Sequence, residues 1–476
     1  MKPKTLSFGR GMLRAMALTG AMALSVVAPA KAETLADALV GAYNHSGLLD
    51  QNRALLRAAD EDVASALSAL RPVISWQADL TRTIGESASA ATAGLTVDID
   101  TFTLGVGLVM DYQLYDFGAD AARVEAAKET VLATRAGLLS VEQQVLLRAV
   151  SAFMNTRRAA ENVALRENNL RLLTEELRAA RDRFEVGEVT RTDVALAEAS
   201  LASARSGLAS ARGDLVQAQE EYRNAVGRKP GRLAPPPPLP ITANDMAHAK
   251  SKALRQHPDI VAAQRQVASA DLLIAASERD MQPTLSLRGN IFMEDTFGED
   301  SFNDTASLSL RVTGPIYQGG RLSSLARRAM AIRDSQRANL HNVRHDVEAN
   351  IGNAFAALTS ARASLEATER QILAARVAFR GIREEAALGA RTTLDVLDAE
   401  QQLLDAQTAR TAAQADQYIA AYSVLQAMGE LTAERLKLPV RIYDPAGYYN
   451  LIKNGPAVKS KQGRQLDRVL RSLQKD

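Results

Sequence analysis

Val186-Gly187-Glu188-Val189-Thr190-Arg191-Thr192-Asp193-Val194 and Leu388-Gly389-Ala390-Arg391-Thr392-Thr393-Leu394-Asp395-Val396 are two versions of one phrase. Each places a glycine at the end of a long run free of proline, then a Thr-x-x-Asp at the start of another. The offset between them is 202 residues, and it also carries Tyr115 to Tyr317, Gly118 to Gly320, Leu201 to Leu403 and Gly227 to Gly429. So long a repeat excludes a solenoid of short units. It implies an internally duplicated chain with halves at residues 33–234 and 244–436. A proline-rich linker, 235–243, joins them, and a tail, 437–476, follows.

The runs beside each glycine read as helices. Ala119 to Val186 has helical composition throughout and, at 1.5 Å per residue, would be roughly 100 Å long. A second helix follows to Gly227. In it Ala197, Leu201, Ala204, Leu208, Ala211, Leu215 and Ala218 recur in steps of four and three. That heptad seam packs helices side by side, and its alanines let two backbones come close. The second half repeats the order, with a long helix from Arg321 to Leu388 and a shorter one from Thr392 to Met428. Each half also opens on a helix, one from Thr34 to Leu70 and one from Asn244 to Met281.

Between the opening helix and the long helix the period changes from 3.6 to two. Ile74, Trp76, Ala78 and Leu80 alternate with Ser75, Gln77, Asp79 and Thr81, and Phe102 to Met110 alternates in the same way. Leu285, Leu287 and Ile291 repeat the pattern in the second half, as do Leu308, Leu310 and Val312. Segments of about ten residues with one apolar face match transmembrane β-strands, although a soluble edge hairpin would alternate too. Four strands cannot close a membrane barrel, whose minimum is about eight, and open edges are not tolerated in lipid. If these strands cross a membrane, the chain oligomerises. A trimer would supply a twelve-stranded β-barrel continuous with a long α-helical coiled-coil barrel. The fold class is thus mainly α with membrane β.

The ends and the composition set further bounds. Lys2, Lys4, Arg10 and Arg14 precede an apolar stretch, Ala15 to Val27, and Ala30-Lys31-Ala32 offers a cleavage site. Residues 1–32 are therefore expected to be a secretory signal. Its five basic residues account for the formal charge of +2, and without them 52 basic residues face 55 acidic ones. Nucleic-acid binding gains no support from that balance. Cysteine is absent, which excludes disulfides, thiol nucleophiles and cysteine-based metal sites.

With these elements in place the chain resembles the TolC family of outer-membrane efflux and type I secretion channels. Gly314-Pro315-Ile316-Tyr317-Gln318-Gly319-Gly320 resembles the family's strand-exit motif, with Pro315, Tyr317, Gly319 and Gly320 as its marked positions. Leu114-Tyr115-Asp116-Phe117-Gly118 is a degenerate copy. Gly389 to Ala399 is similar to the second periplasmic tip. The resemblance implies a homotrimer in the outer membrane of a Gram-negative bacterium, in contact with its lipid and spanning into the periplasm. It also implies a periplasmic adaptor, or membrane fusion protein, and an inner-membrane pump of ABC, RND or MFS type. No enzymatic activity, cofactor or metal is expected.

By the same resemblance Gly187 and Gly389 are adaptor-docking tips, Asp193 and Arg391 form a gate latch, and Asp395 and Asp398 line the pore as acidic rings. Three residues apart on a helix, Asp395 and Asp398 share a face. The Thr-x-x-Asp pattern equally fits a capping box for Asp193 and Asp395, and the tip glycines fit helix C-caps. Neither explains Asp398. Where the family carries a tyrosine before the second tip, this chain has Ala386. His341 and His345 lie four apart, yet without a third ligand they read as a solvated face. Lys453 to Asp476 is expected to be a mobile, basic tail. The competing reading, a periplasmic coiled-coil adaptor or structural protein, calls for one helical hairpin flanked by β-rich domains.

Overall fold

The computed structural model describes residues 32–88, 96–240, 245–298, 302–455 and 460–473. Residues 1–31 of the expected signal and residues 241–244, which hold the end of the linker and the expected start of a helix, lie outside the described residues. Ten helices and four strands make up what is described.

The two opening helices each break in the middle, contrary to the uninterrupted helices read from sequence. Helix α1 (Leu35–His45) ends at Ser46, whose hydroxyl then accepts the Leu49 N–H and starts α2 (Gly47–Ser68). In the second half α5 (Met246–Gln256) stops at His257, and α6 (Pro258–Arg279) starts on the next residue. The pyrrolidine ring of Pro258 drives the preceding residue out of the helical region, and His257 sits at ψ 130°.

Strands β1 (Val73–Ala88), β2 (Thr96–Tyr115), β3 (Thr284–Phe297) and β4 (Phe302–Thr313) form one antiparallel sheet in the order β1-β2-β3-β4. All are longer than the ten residues that alternation suggested. Pairing runs on into polar ends such as Glu86↔Asp98, where no apolar face advertises it. Ile74, Trp76, Leu80 and Ile84 of β1 and Leu308, Leu310 and Val312 of β4 leave a large apolar face exposed. Among the described residues the outer edges of β1 and β4 have no partner strand.

The helices hang from this sheet. Helix α3 (Ala119–Glu185) follows β2, and α7 (Arg321–Ala387) follows β4. Each has 67 residues, roughly 100 Å of helix. Both start at a glycine in the left-handed conformation, Gly118 at φ 83° and Gly320 at φ 81°. Helices α2 and α4 (Arg191–Val226) pack along α3, and α6 and α8 (Thr393–Ala427) pack along α7. The seam positions Ala197, Leu201, Leu208 and Ala211 of α4 are buried as the heptad requires. Among the described residues no helix is long and apolar enough to cross a membrane.

The main core lies where α1, α2, the middle of α3 and the ends of α4 and α8 meet, around Leu56, Leu146, Phe153, Tyr222 and Leu431. Part of the tail belongs to it as well. Instead of the mobile segment expected, α9 (Pro445–Ile452) and α10 (Lys461–Leu473) fold back onto α2, with Tyr448, Ile452 and Leu466 buried beside Ala64. Tyr448 donates to Glu61 at 2.5 Å, and the Arg135 guanidinium lies over the Tyr449 ring. The apolar residues of this segment sit too far apart in sequence to show as one stripe.

Phe153 is fully buried at the centre of this core. Phe153→Ala is expected to cost about 3–5 kcal/mol. It should lower the midpoint of thermal loss of helical circular dichroism, and an unchanged midpoint would show that the core lies elsewhere.

Candidate functional site at the coiled-coil tips

The end of each helical hairpin farthest from the sheet is a tight turn. At the first tip Gly187, φ 82°, follows α3, and the Glu188 N–H reaches back to the Arg183 carbonyl at 2.9 Å. At the second tip Gly389, φ 76°, follows α7, and the Ala390 N–H reaches the Glu385 carbonyl at 2.9 Å. Both close the helix with a left-handed glycine, which other residues adopt only at a cost. Both glycines are exposed with open space around the Cα. They are C-caps and exposed tips at once.

Each following helix opens on a capping box. The Thr190 N–H and hydroxyl donate to Asp193 Oδ2 at 2.9 and 2.7 Å, and Thr190 Oγ1 accepts the Asp193 N–H. Thr392 and Asp395 repeat the pattern at 2.9 and 2.8 Å. The Thr190 hydroxyl, with its N–H, holds the Asp193 carboxyl below the usual range. The Thr392 N–H, with its hydroxyl, does the same for Asp395. Asp395 therefore stays ionised while serving as a cap. Asp398, one turn on, is exposed and makes no hydrogen bond or ion pair among the described residues. Its charge is available to the space in front of the helix.

Arg391 does not meet Asp193 within one chain. Its Nε donates to Glu385 Oε2 at 2.8 Å, and that carboxylate strengthens its hold on the proton. The strand-exit motif lies at the opposite end of α7. There Ile316 and Tyr317 are almost wholly exposed, and Gly319 and Gly320 turn the chain into the helix.

The structure adds a contact that sequence reasoning missed. Leu397 of α8 is inserted among Leu173, Leu177, Ala180, Ala197 and Leu201 of α3 and α4. One turn further on, Glu400 is 3 % exposed and accepts a hydrogen bond from Asn169 Nδ2 at 2.8 Å. Its second oxygen has no partner among the described residues. Burial pushes the carboxyl up to about 7, against the Asn169 hydrogen bond. Nearby Glu176 adds to the rise and Arg383 opposes it. Arg383 of α7 also pairs with Glu176 of α3 at 3.5 Å. The two coiled coils are thus joined just behind their tips by one leucine, one buried carboxyl and one ion pair. The signal was present, because Glu400 falls between Leu397 and Leu404 on the apolar seam, where a charge is out of place. Asn169 carries no such mark.

The chain as a whole is similar to known proteins. A family model for outer membrane efflux proteins matches residues 41–228 and 249–430. The outer membrane efflux protein BepC of Brucella suis is 37 % identical over 446 residues, covering 93 % of this chain and 94 % of its own. The outer membrane protein TolC of Vibrio cholerae is 25 % identical over 421 residues, 85 % and 92 % of the two chains. The solved structure of the CmeC outer membrane channel of Campylobacter jejuni superposes with a TM-score of 0.75 at 18 % identity, covering 89 % and 90 %.

Glu400 makes the packing behind the tips depend on pH. While buried it stays neutral up to about pH 7, whereas an ordinary glutamate ionises from about 4.5. The contact is therefore firmest below pH 4.5 and weakens progressively as the pH rises to 7. Amide hydrogen exchange in the first turns of α8 should speed up over that range beyond the intrinsic rate, and Glu400→Gln should remove the extra dependence. A Gln variant that keeps it would place the titrating group elsewhere.

Proposed function

Because the chain belongs to the outer membrane efflux protein family, we propose that three copies form one exit duct, closed at its tips and opened when an adaptor docks. It is an outer-membrane channel protein whose helices extend into the periplasm. The observation that carries the trimer is the four-stranded sheet, apolar on its exposed face and, among the described residues, unpaired at both edges. Joined edge to edge, three such sheets make twelve strands, enough for a barrel with a lumen. Beneath them the 67-residue helices and their partners continue the wall. In this reading residues 1–32 direct export, and 33–234 and 244–436 are two repeats of one building unit.

The gate follows from the tips. Threefold symmetry brings three copies of Asp395 and of Asp398 around one axis as stacked acidic rings. Rings of carboxylates attract cations and slow anions. Arg391 and Asp193 act as a latch between neighbouring coils, for which Arg391 leaves Glu385. An exposed ion pair is worth only ~0–1 kcal/mol, so a few of them hold a gate shut without locking it. Gly187 and Gly389 present the tips to a periplasmic adaptor, which links the duct to an inner-membrane pump.

Two measurements in planar bilayers test this. The isolated protein should give a small, cation-selective conductance, and Asp398→Ala should reduce both the selectivity and block by multivalent cations. Unchanged selectivity in an Asp395→Ala/Asp398→Ala double variant would remove the acidic rings and leave Asp395 as a cap alone.

Arg391→Ser should raise the resting conductance and make cells more permeable to large antibiotics, and Arg391→Asp with Asp193→Arg should restore part of the closure. Wild-type conductance in Arg391→Ser would move closure to the apolar seam and Leu397.

A further inference from the structure

Two of the five histidines in the chain share one face of α7. By spacing alone His341 and His345 read as a solvated face, but the structure shows what that spacing does with the rings. Side chains four apart on a helix are about 6 Å apart along the axis and neighbours on its surface. Across that gap the two rings lean together, with centroids 4.4 Å apart and planes at 86°. His341 Nε2 and His345 Nε2 come within 3.1 Å of each other. Both side chains are exposed.

A neutral imidazole has one N–H and one lone pair, so in this arrangement one Nε2 donates to the other. A metal ion can take the place of that shared proton. Two metal–nitrogen bonds of about 2.05 Å spanning the observed 3.1 Å enclose an angle of roughly 100°. That falls between the ~90° of a tetragonal site and the ~109° of a tetrahedral one. The backbone of α7 thus already sets the bite of a chelate.

Glu348, one turn further on, places Oε2 4.0 Å from His345 Nδ1. A carboxylate on that side favours the tautomer protonated at Nδ1 and leaves the Nε2 lone pair for ligation. No group of three potential ligands converges among the described residues, so the remaining positions on the ion stay open to water. The other histidines have no such arrangement. His257 is buried and accepts the Asp259 N–H as the cap of α6, and His45 and His248 stand singly on α1 and α5.

We propose that His341 and His345 bind a divalent transition-metal ion, one per chain, with Cu²⁺ held more tightly than Ni²⁺ or Zn²⁺. The ion staples one turn of the long helix, about 30 Å along α7 from its start at 1.5 Å per residue. The site lies within one helix and rests on neither the trimer nor the gate.

The test is titration calorimetry of the full-length, untagged, detergent-solubilised protein with Cu²⁺ in a large excess of Mg²⁺. Mg²⁺ prefers oxygen ligands, so it occupies carboxylates such as Asp395 and Asp398 and keeps the acidic tips out of the signal. One Cu²⁺ per chain is expected, and its electron paramagnetic resonance should show coupling to two imidazoles. His341→Ala and His345→Ala should each weaken binding at least tenfold. His345→Ala/Asp346→His keeps the number of histidines but sets the pair five residues apart, off a common face, and should weaken binding as much. His45→Gln/His248→Gln should bind as the unaltered protein does. Coupling to a single imidazole would overturn the proposal, a result that does not depend on how any variant folds. So would equal binding by the relocated pair, since histidine number and not spacing would then hold the ion.

Discussion

Everything in this chain depends on a sheet that cannot finish itself. In the hydrocarbon of a bilayer each unpaired N–H and C=O costs several kcal/mol, and β1 and β4 both offer a full edge of them. In the proposed assembly, further copies of the same edges satisfy those groups. The symmetry of that assembly would pass to the helices, because α3 and α7 leave the sheet through turns tightened by Asp116, Gly118 and Gly320. Asp116 caps α3 by accepting the N–H groups of Gly118 and Asp120. The helical wall inherits its arrangement from the strands above it.

At the far end the proposed gate would place two opposing demands on the same wall, which would have to pack well enough to close and loosely enough to open. The seam of α4 is alanine and leucine, which brings backbones close, yet the contact between coils behind the tips is small. Leu397 supplies apolar burial, while Glu400 sits beside it with one oxygen unsatisfied. A buried carboxyl of this kind costs more than an apolar replacement would. At a joint that parts in the proposed gating, that cost would keep the packed state shallow. The ionised caps Asp193 and Asp395 lie at the outermost turns, where their charge also favours the helix N-termini.

Much of this was legible in the sequence, for physical reasons. A 3.6 period sustained without proline has few alternatives, and α3 and α7 begin and end within a residue or two of where glycine and the Thr-x-x-Asp pattern place them. Strand positions were legible because one face of each strand is apolar, but strand lengths were not, since pairing continues past that face. The breaks at Ser46 and His257 were overlooked for different reasons. Serine can sit inside a helix or cap one, and only the packing of α1 decides. Pro258 did carry the signal through the residue before it. At the tips the capping boxes were legible as local hydrogen-bond chemistry. The partner of Arg391 was not, because Glu385 lies across the turn, and no local pattern records which way a long flexible side chain swings. The docking of α9 and α10 was hidden for a similar reason, since Tyr448 and Leu466 gain meaning only beside Ala64.

The central claim is that the open sheet closes only by threefold assembly. Native mass spectrometry of the detergent-extracted protein, released from detergent in the gas phase, counts the chains directly. The account requires three chains, with no monomer until the sheet itself is unfolded. A folded monomer retaining its strand signal, or a dimer with its eight strands, would contradict it.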